Sequence, residues 1–144
     1  MAGMKLSGEF DHALDPKGRV TLPARYRDYF RDGAILVRLP RREPCLCVYR
    51  QDAWDAFDEK YLEGKDYYEN EHDRWSVRDI YRMQDFVEPD AQGRILLPDK
   101  RREELRLNSK VKIIGARDCL EIWDPDTWDA ALADETKRRG GDNG

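Results

Sequence analysis

One nine-residue segment is written twice in this chain. Asp15-Pro16-Lys17-Gly18-Arg19-Val20-Thr21-Leu22-Pro23 returns, 75 residues on, as Asp90-Ala91-Gln92-Gly93-Arg94-Ile95-Leu96-Leu97-Pro98. Extended to Phe30 and Leu105, sixteen positions align and six are identical, where background composition would give roughly one. A second echo, at an offset of 74, sets Cys45-Leu46-Cys47-Val48-Tyr49 against Cys119-Leu120-Glu121-Ile122-Trp123, with Trp54 against Trp128. A fixed internal period marks a duplicated unit. Two copies are too few for a solenoid, and 144 residues suit one domain built with pseudo-twofold symmetry.

Each copy reads as turn, short strand, proline-started helix, two strands and a helix. In the first, 5–14 is a strand. Asp15–Gly18 is a turn, with Asp at its first position, Pro with preset φ at its second and Gly at its fourth. A short strand 19–22 leads to Pro23, a tolerated first helical residue, and a helix to about Phe30. Strands 34–39 and 45–49 follow, with Leu46 and Val48 on one face and Cys45, Cys47 and Tyr49 on the other. Helices 52–62 and 73–83 come next; the first carries Trp54, Phe57 and Tyr61 at helical spacing. The second copy repeats the plan with turn 90–93, strand 94–97, helix 98–105 and strands 111–114 and 119–123. Asp124 then caps a last helix beginning at Pro125. The expected division is 4–84 for the first half with its acidic helices, 85–136 for the second, and a disordered tail over 137–144.

The formal net charge of −4 disfavours nucleic acid as a partner only if taken whole. Residues 17–42 carry eight basic side chains, Arg41 among them, against two acidic ones. Residues 91–117 carry eight against three. The acids concentrate in 51–90 and 118–144. Basic segments suit phosphate; solvated helix faces are the plainer alternative, since folded geometry rather than linear order sets a field.

The repeated turn sharpens this. Asp15 and Asp90 each stand four residues before an arginine, Arg19 and Arg94. A carboxylate there can accept from loop N–H groups or pair with the guanidinium, fixing the arginine. A fixed guanidinium presents two parallel donors at the spacing of guanine O6 and N7 in the major groove. Lysine, a point charge on a flexible stem, does not. Lys17, Arg25, Arg27, Lys100 and Arg102 lie nearby as candidate phosphate contacts, which set affinity and register rather than sequence. A structural Asp–Arg pair that merely holds a hairpin would leave the same trace.

Residues 8–19 followed by Leu22-Pro23-Ala24-Arg25-Tyr26-Arg27 resemble the opening of MraZ proteins, and 90–98 with Leu120-Glu121-Ile122-Trp123 resemble their second half. The likeness spans about residues 4–132. It implies an α+β fold of the SpoVT/AbrB class, a duplicated swapped-hairpin (double-split) β-barrel with flanking short helices. It also implies a homo-oligomeric ring that regulates transcription by binding upstream direct repeats of double-stranded DNA near the division and cell-wall gene cluster. The base-reading role falls on Arg19 and Arg94, partnered by Asp15 and Asp90. Two features depart from the family pattern: the Cys45-Leu46-Cys47 strand, and the acidic, aromatic stretch 61–79.

Other chemistries find less support. Cys45, Cys47 and Cys119, with His12 and His72, show no Cys-x-x-Cys pair and no tight zinc spacing, so neither metal nor cofactor is expected. Glu9, Asp11 and His12 could supply acid–base groups. No nucleophile elbow, P-loop or dinucleotide fingerprint accompanies them, and no enzyme is expected. A protein-binding scaffold or antidote-type module is the main alternative, carried by the aromatic helix faces. Three cysteines, no stretch near the ~18 apolar residues of a membrane span and no apolar leader at residues 1–7 point to a reducing, cytoplasmic setting, and the family resemblance implies association with the nucleoid.

Overall fold

The computed structural model describes residues 3–40 and 42–143, without the side chains of 141–143. Arg41, one of the basic residues counted above, lies outside them, as do residues 1, 2 and 144.

Among the described residues, eight strands and four α-helices form an α+β arrangement. The first half runs β1 (Glu9–Ala13), β2 (Arg19–Thr21), a 3-10 turn (Ala24–Tyr26), β3 (Ala34–Val37), β4 (Leu46–Tyr49), α1 (Gln51–Tyr61) and α2 (Glu71–Tyr81). The second runs β5 (Gln84–Val87), β6 (Arg94–Leu96), α3 (Asp99–Leu105), β7 (Lys110–Gly115), β8 (Leu120–Trp123) and α4 (Pro125–Asn143). Asp124 caps α4 as expected, its Oδ2 accepting from the Thr127 backbone N–H at 3.0 Å.

Six strands form one antiparallel sheet in the order β1-β7-β8-β4-β3-β5. Exchanging each strand for its repeat counterpart reverses this order and leaves it unchanged. β1 of the first repeat pairs with β7 of the second, and β5 of the second with β3 of the first. At the centre, β4 pairs with β8 about the Cys47–Glu121 pair. The sheet is therefore continuous across both repeats.

The expected closed barrel is not what forms. β2 and β6 make a separate two-stranded ribbon, and β1 and β5 stand at opposite edges of an open sheet. The reason lies in length. Three-residue strands spend their ladder on each other, in the register Arg19–Leu96, Val20–Ile95, Thr21–Arg94, and among the described residues a single β-bridge, Leu14–Val20, reaches back to the rest.

Two apolar layers hold the assembly. On one face of the sheet, Leu36, Leu46, Val48, Ile113 and Ile122 pack with the ribbon's Val20 and Ile95 and with Tyr26 and Phe30. On the other, Cys45, Cys47, Tyr49, Cys119 and Trp123 pack with Trp54, Ile80 and the inner edges of Phe57 and Trp128. The expected face alternation of β4 is thus met, with both faces buried. Strands covered on both sides read as continuous apolar runs, which is how β3 and β4 are written.

Three local departures have physical causes. The first strand is shortened because Gly8 takes φ +101°, leaving Leu6 to bridge Arg117 separately. The first proline-started helix is only a 3-10 turn, because Tyr26, Tyr29 and Phe30 are all drawn into buried positions. The last helix continues through Asn143, where a disordered tail over 137–144 is expected from composition. Glu135 spans to Arg138 and Arg139 at 2.5 and 3.0 Å, the one-turn spacing that supports an exposed helix.

Candidate nucleic-acid interface

The two turns are built alike. Asp15 Oδ1 accepts from the backbone N–H groups of Lys17 and Arg19, both at 2.9 Å, and Oδ2 accepts from Arg19 Nε at 2.7 Å. Asp90 Oδ1 accepts from Gln92 and Arg94 N–H at 2.9 Å, and Oδ2 from Arg94 Nε at 2.7 Å. The loop closes beneath each carboxylate, with Gly18 and Gly93 N–H donating to the Asp15 and Asp90 carbonyls at 2.9 Å. Both carboxyls are held below the usual aspartate range, first by the backbone N–H of Arg19 or Arg94 and then by its guanidinium, against a partial desolvation.

Strand alternation decides where the arginines point. Val20 and Ile95 face inward at 0% exposure, so Arg19, Thr21, Arg94 and Leu96 share the outer face of the ribbon. The arginine side chains retain 29% and 30% of their exposure. With Nε held by aspartate, the two Nη groups form each guanidinium's outward edge. The heads also meet across the ribbon, Arg94 Nη1 lying 3.9 Å from Asp15 Oδ2. Arg94 differs from Arg19 in that cross-ribbon contact and in the hydrogen bond that Gln92 Oε1 accepts from its Nη2 at 3.3 Å.

Lys17, Arg25 and Lys100 are exposed, and Arg25 and Lys100 occupy equivalent places in the two repeats. Arg27 and Arg102 are more firmly placed. Arg27 Nε donates to the Leu22 carbonyl at 3.1 Å, and Arg102 Nε to the Leu97 carbonyl at 3.2 Å. Arg102 also bridges Asp99. Each reaches across to the opposite repeat. A Cβ at Gly18 would stand 2.6 Å from Arg102 Cζ, and one at Gly93 2.6 Å from Arg27 Cδ.

Sequence reasoning misses this reciprocal bracing. Its signal is the sixth identity of the alignment, Arg27 with Arg102, which on spacing alone reads as phosphate-directed. Nor does the second basic segment face one way. Arg101 is buried and pairs with Glu104 at 2.6 Å, while Lys112 is shared between Glu9 and Asp11. Among the described residues, no helix is long and apolar enough to cross a membrane.

Duplicated anchored arginines on the outer face of a two-stranded ribbon, above a pseudo-symmetric sheet, define a class of doubled α+β proteins whose two halves share one sheet. Within that class, the chain belongs to the MraZ family. The family model described as "MraZ protein, putative antitoxin-like" matches residues 6–73 and 80–139. A protein of Thermomicrobium roseum named transcriptional regulator MraZ is 37% identical over 123 residues, covering 85% of this chain and 84% of the relative. One of the same name from Pseudomonas fluorescens is 34% identical over 124 residues, covering 84% and 81%.

Proposed function

We propose that this chain is a DNA-binding transcriptional regulator, without enzymatic activity, whose ribbon face reads base edges in the major groove. The observation that carries this reading is the pair of aspartate-anchored arginines at equivalent positions of that face. Holding Nε leaves the Nη edge of Arg19 to meet guanine, that of Arg94 does so once Gln92 Oε1 gives way, and the carboxylate reduces the entropy of searching for that pose. That relatives are named transcriptional regulator MraZ supports the regulator reading.

Arg19 and Arg94 are assigned as readers, and Asp15 and Asp90 as the groups that position them. Lys17, Arg25 and Lys100 contact phosphate, as do the outer edges of Arg27 and Arg102. The site lies in direct repeats upstream of the division and cell-wall genes, bound by a closed homo-oligomeric ring in the nucleoid. A ring suits this because one chain carries only two reading heads, and linked contacts multiply through effective concentration. The exchange of edge strands between repeats supports a swapped-hairpin origin of the fold, with two units meeting near residues 84 and 85.

The decisive experiment titrates the purified protein with its own upstream DNA and with scrambled DNA at two salt concentrations. A specific preference that weakens with salt is expected, and its loss in a folded Arg19→Ala, Arg94→Ala double variant. Equal binding to both DNAs, or undiminished specific binding by the double variant, removes the reader role. The antitoxin-like description of the family model favours one second reading, an antidote module that binds a partner protein. That reading gains if neither DNA is bound.

A further inference from the structure

The three cysteines play no part in the ribbon, yet the fold gathers them at its centre. Cys45, immediately before β4, and Cys47, within it, are buried in the same cluster at 5% and 4% exposure. The register sets Cys47 directly opposite Glu121 of β8. The pseudo-twofold axis passes between these two residues, which are each other's counterparts in the repeat. Cys119, the counterpart of Cys45, is buried in the same cluster.

The ligand atoms of Cys45, Cys47 and Glu121 all lie within 4.8 Å of one another. Donors on a tetrahedral zinc, at Zn–S of about 2.3 Å and Zn–O of about 2.0–2.2 Å, stand roughly 3.4–3.8 Å apart. Small side-chain shifts therefore close the set. A carboxylate is also an unexpected neighbour for buried thiols. Glu121 is only half-buried, and its hydrogen bond among the described residues comes from Trp123 Nε1 at 3.0 Å. It opens on a groove of about 610 Å³ between β8 and α4, lined also by Glu43, Trp123 and Trp128. Trp128 Nε1 is buried without a partner among the described residues. The groove supplies an entry path, a second carboxylate and a free donor for a metal-bound oxygen.

We propose that Cys45, Cys47 and Glu121 form a binding site for a thiophilic divalent cation of the zinc class, with a water completing the shell from the groove side. Both thiols release their protons to solvent on binding and ligate as thiolates. The cation ties β4 to β8, and so one repeat to the other, at the symmetry axis. Sequence spacing hides the site because Cys-x-Cys on a strand finds its third ligand only through sheet register.

The test uses the full chain, reduced by a phosphine and titrated with cobalt(II). One cobalt per chain is expected, with thiolate-to-cobalt charge-transfer absorption that zinc(II) abolishes. Cys119→Ser should keep the band. Cys45→Ser and Cys47→Ser should each lose it, and Glu121→Gln should weaken binding by about tenfold or more. Zinc should raise the melting temperature of the wild type but not of Cys45→Ser, and circular dichroism confirms that each variant is folded. Absence of the band in folded wild-type protein overturns the assignment, as does a band that survives in folded Cys45→Ser and Cys47→Ser. DNA titration is a separate readout, so the metal site and the regulator role stand or fall independently.

Discussion

At the scale of single residues, the aspartates matter more than their charge suggests. Asp15 and Asp90 each satisfy two loop N–H groups and one guanidinium nitrogen with two oxygens. Asparagine at these positions can still accept from the loop N–H groups but offers only an amide where the carboxylate held Nε. Asp15→Asn with Asp90→Asn should therefore keep the fold and lose specific DNA binding, read by titration against operator and scrambled DNA. The pH dependence follows from the lowered carboxyl pKa values. Because the unfolded aspartates bind protons first as pH falls, the contribution is complete above the ordinary aspartate range and is lost as pH drops through the folded values. Melting temperature should thus fall more steeply on acidification in the wild type than in the double asparagine variant. Arg19→Ala should weaken operator binding by about 1–3 kcal/mol for each base it reads and flatten sequence preference. Preference at every base left intact would exclude Arg19 as a reader.

At the scale of elements, the hairpin depends on backbone shape and on a neighbour from the other repeat. Gly18 takes φ +84° and has Arg102 packed over it, whereas Gly64 takes φ +77° with nothing within 4 Å of a would-be Cβ. Gly64→Ala should destabilise by about 1–2 kcal/mol, the left-handed backbone penalty. Gly18→Ala should destabilise by more, since Arg102 must also move, and only it should lower DNA affinity; chemical denaturation of both variants separates the two effects. The elements legible in the sequence are those whose cause is local. Turn residues announced both hairpins, proline and aspartate announced the start of α4, and alternation announced both faces of β4. What stayed hidden depends on distant partners. The 3-10 turn replaces a helix because three aromatic residues reach into a core the local sequence does not contain. The open sheet replaces a barrel because β2 finds β6 rather than a sheet edge. Cys47 meets Glu121 only through a register set by the strands around them. Of the candidate site, the aspartate–arginine pairs were legible from their spacing. The bracing of each glycine by the other repeat's arginine was not.

At the scale of the whole molecule, the acids and bases are sorted into different segments, so a negative total charge does not exclude the proposed DNA-reading face. Replacing Arg25 and Lys100 with alanine should weaken operator and scrambled DNA about equally. The slope of log affinity against log salt should shrink by about 0.9 for each phosphate no longer neutralised. Unchanged slopes would take both residues out of the interface. If a ring supplies avidity, a stable monomeric variant should bind the repeated site far more weakly than the assembly, as sedimentation paired with titration would show. The duplication within one chain has a last consequence. Two identical subunits joined by a strict dyad ask for a palindrome, because operator symmetry mirrors protein symmetry. Here one turn carries Lys17 where the other carries Gln92, and Arg25 stands where its twin is Lys100. The two halves are therefore not equivalent, so the molecule has a front and a back, and the proposed reading face would tell DNA with a direction of its own from the reverse.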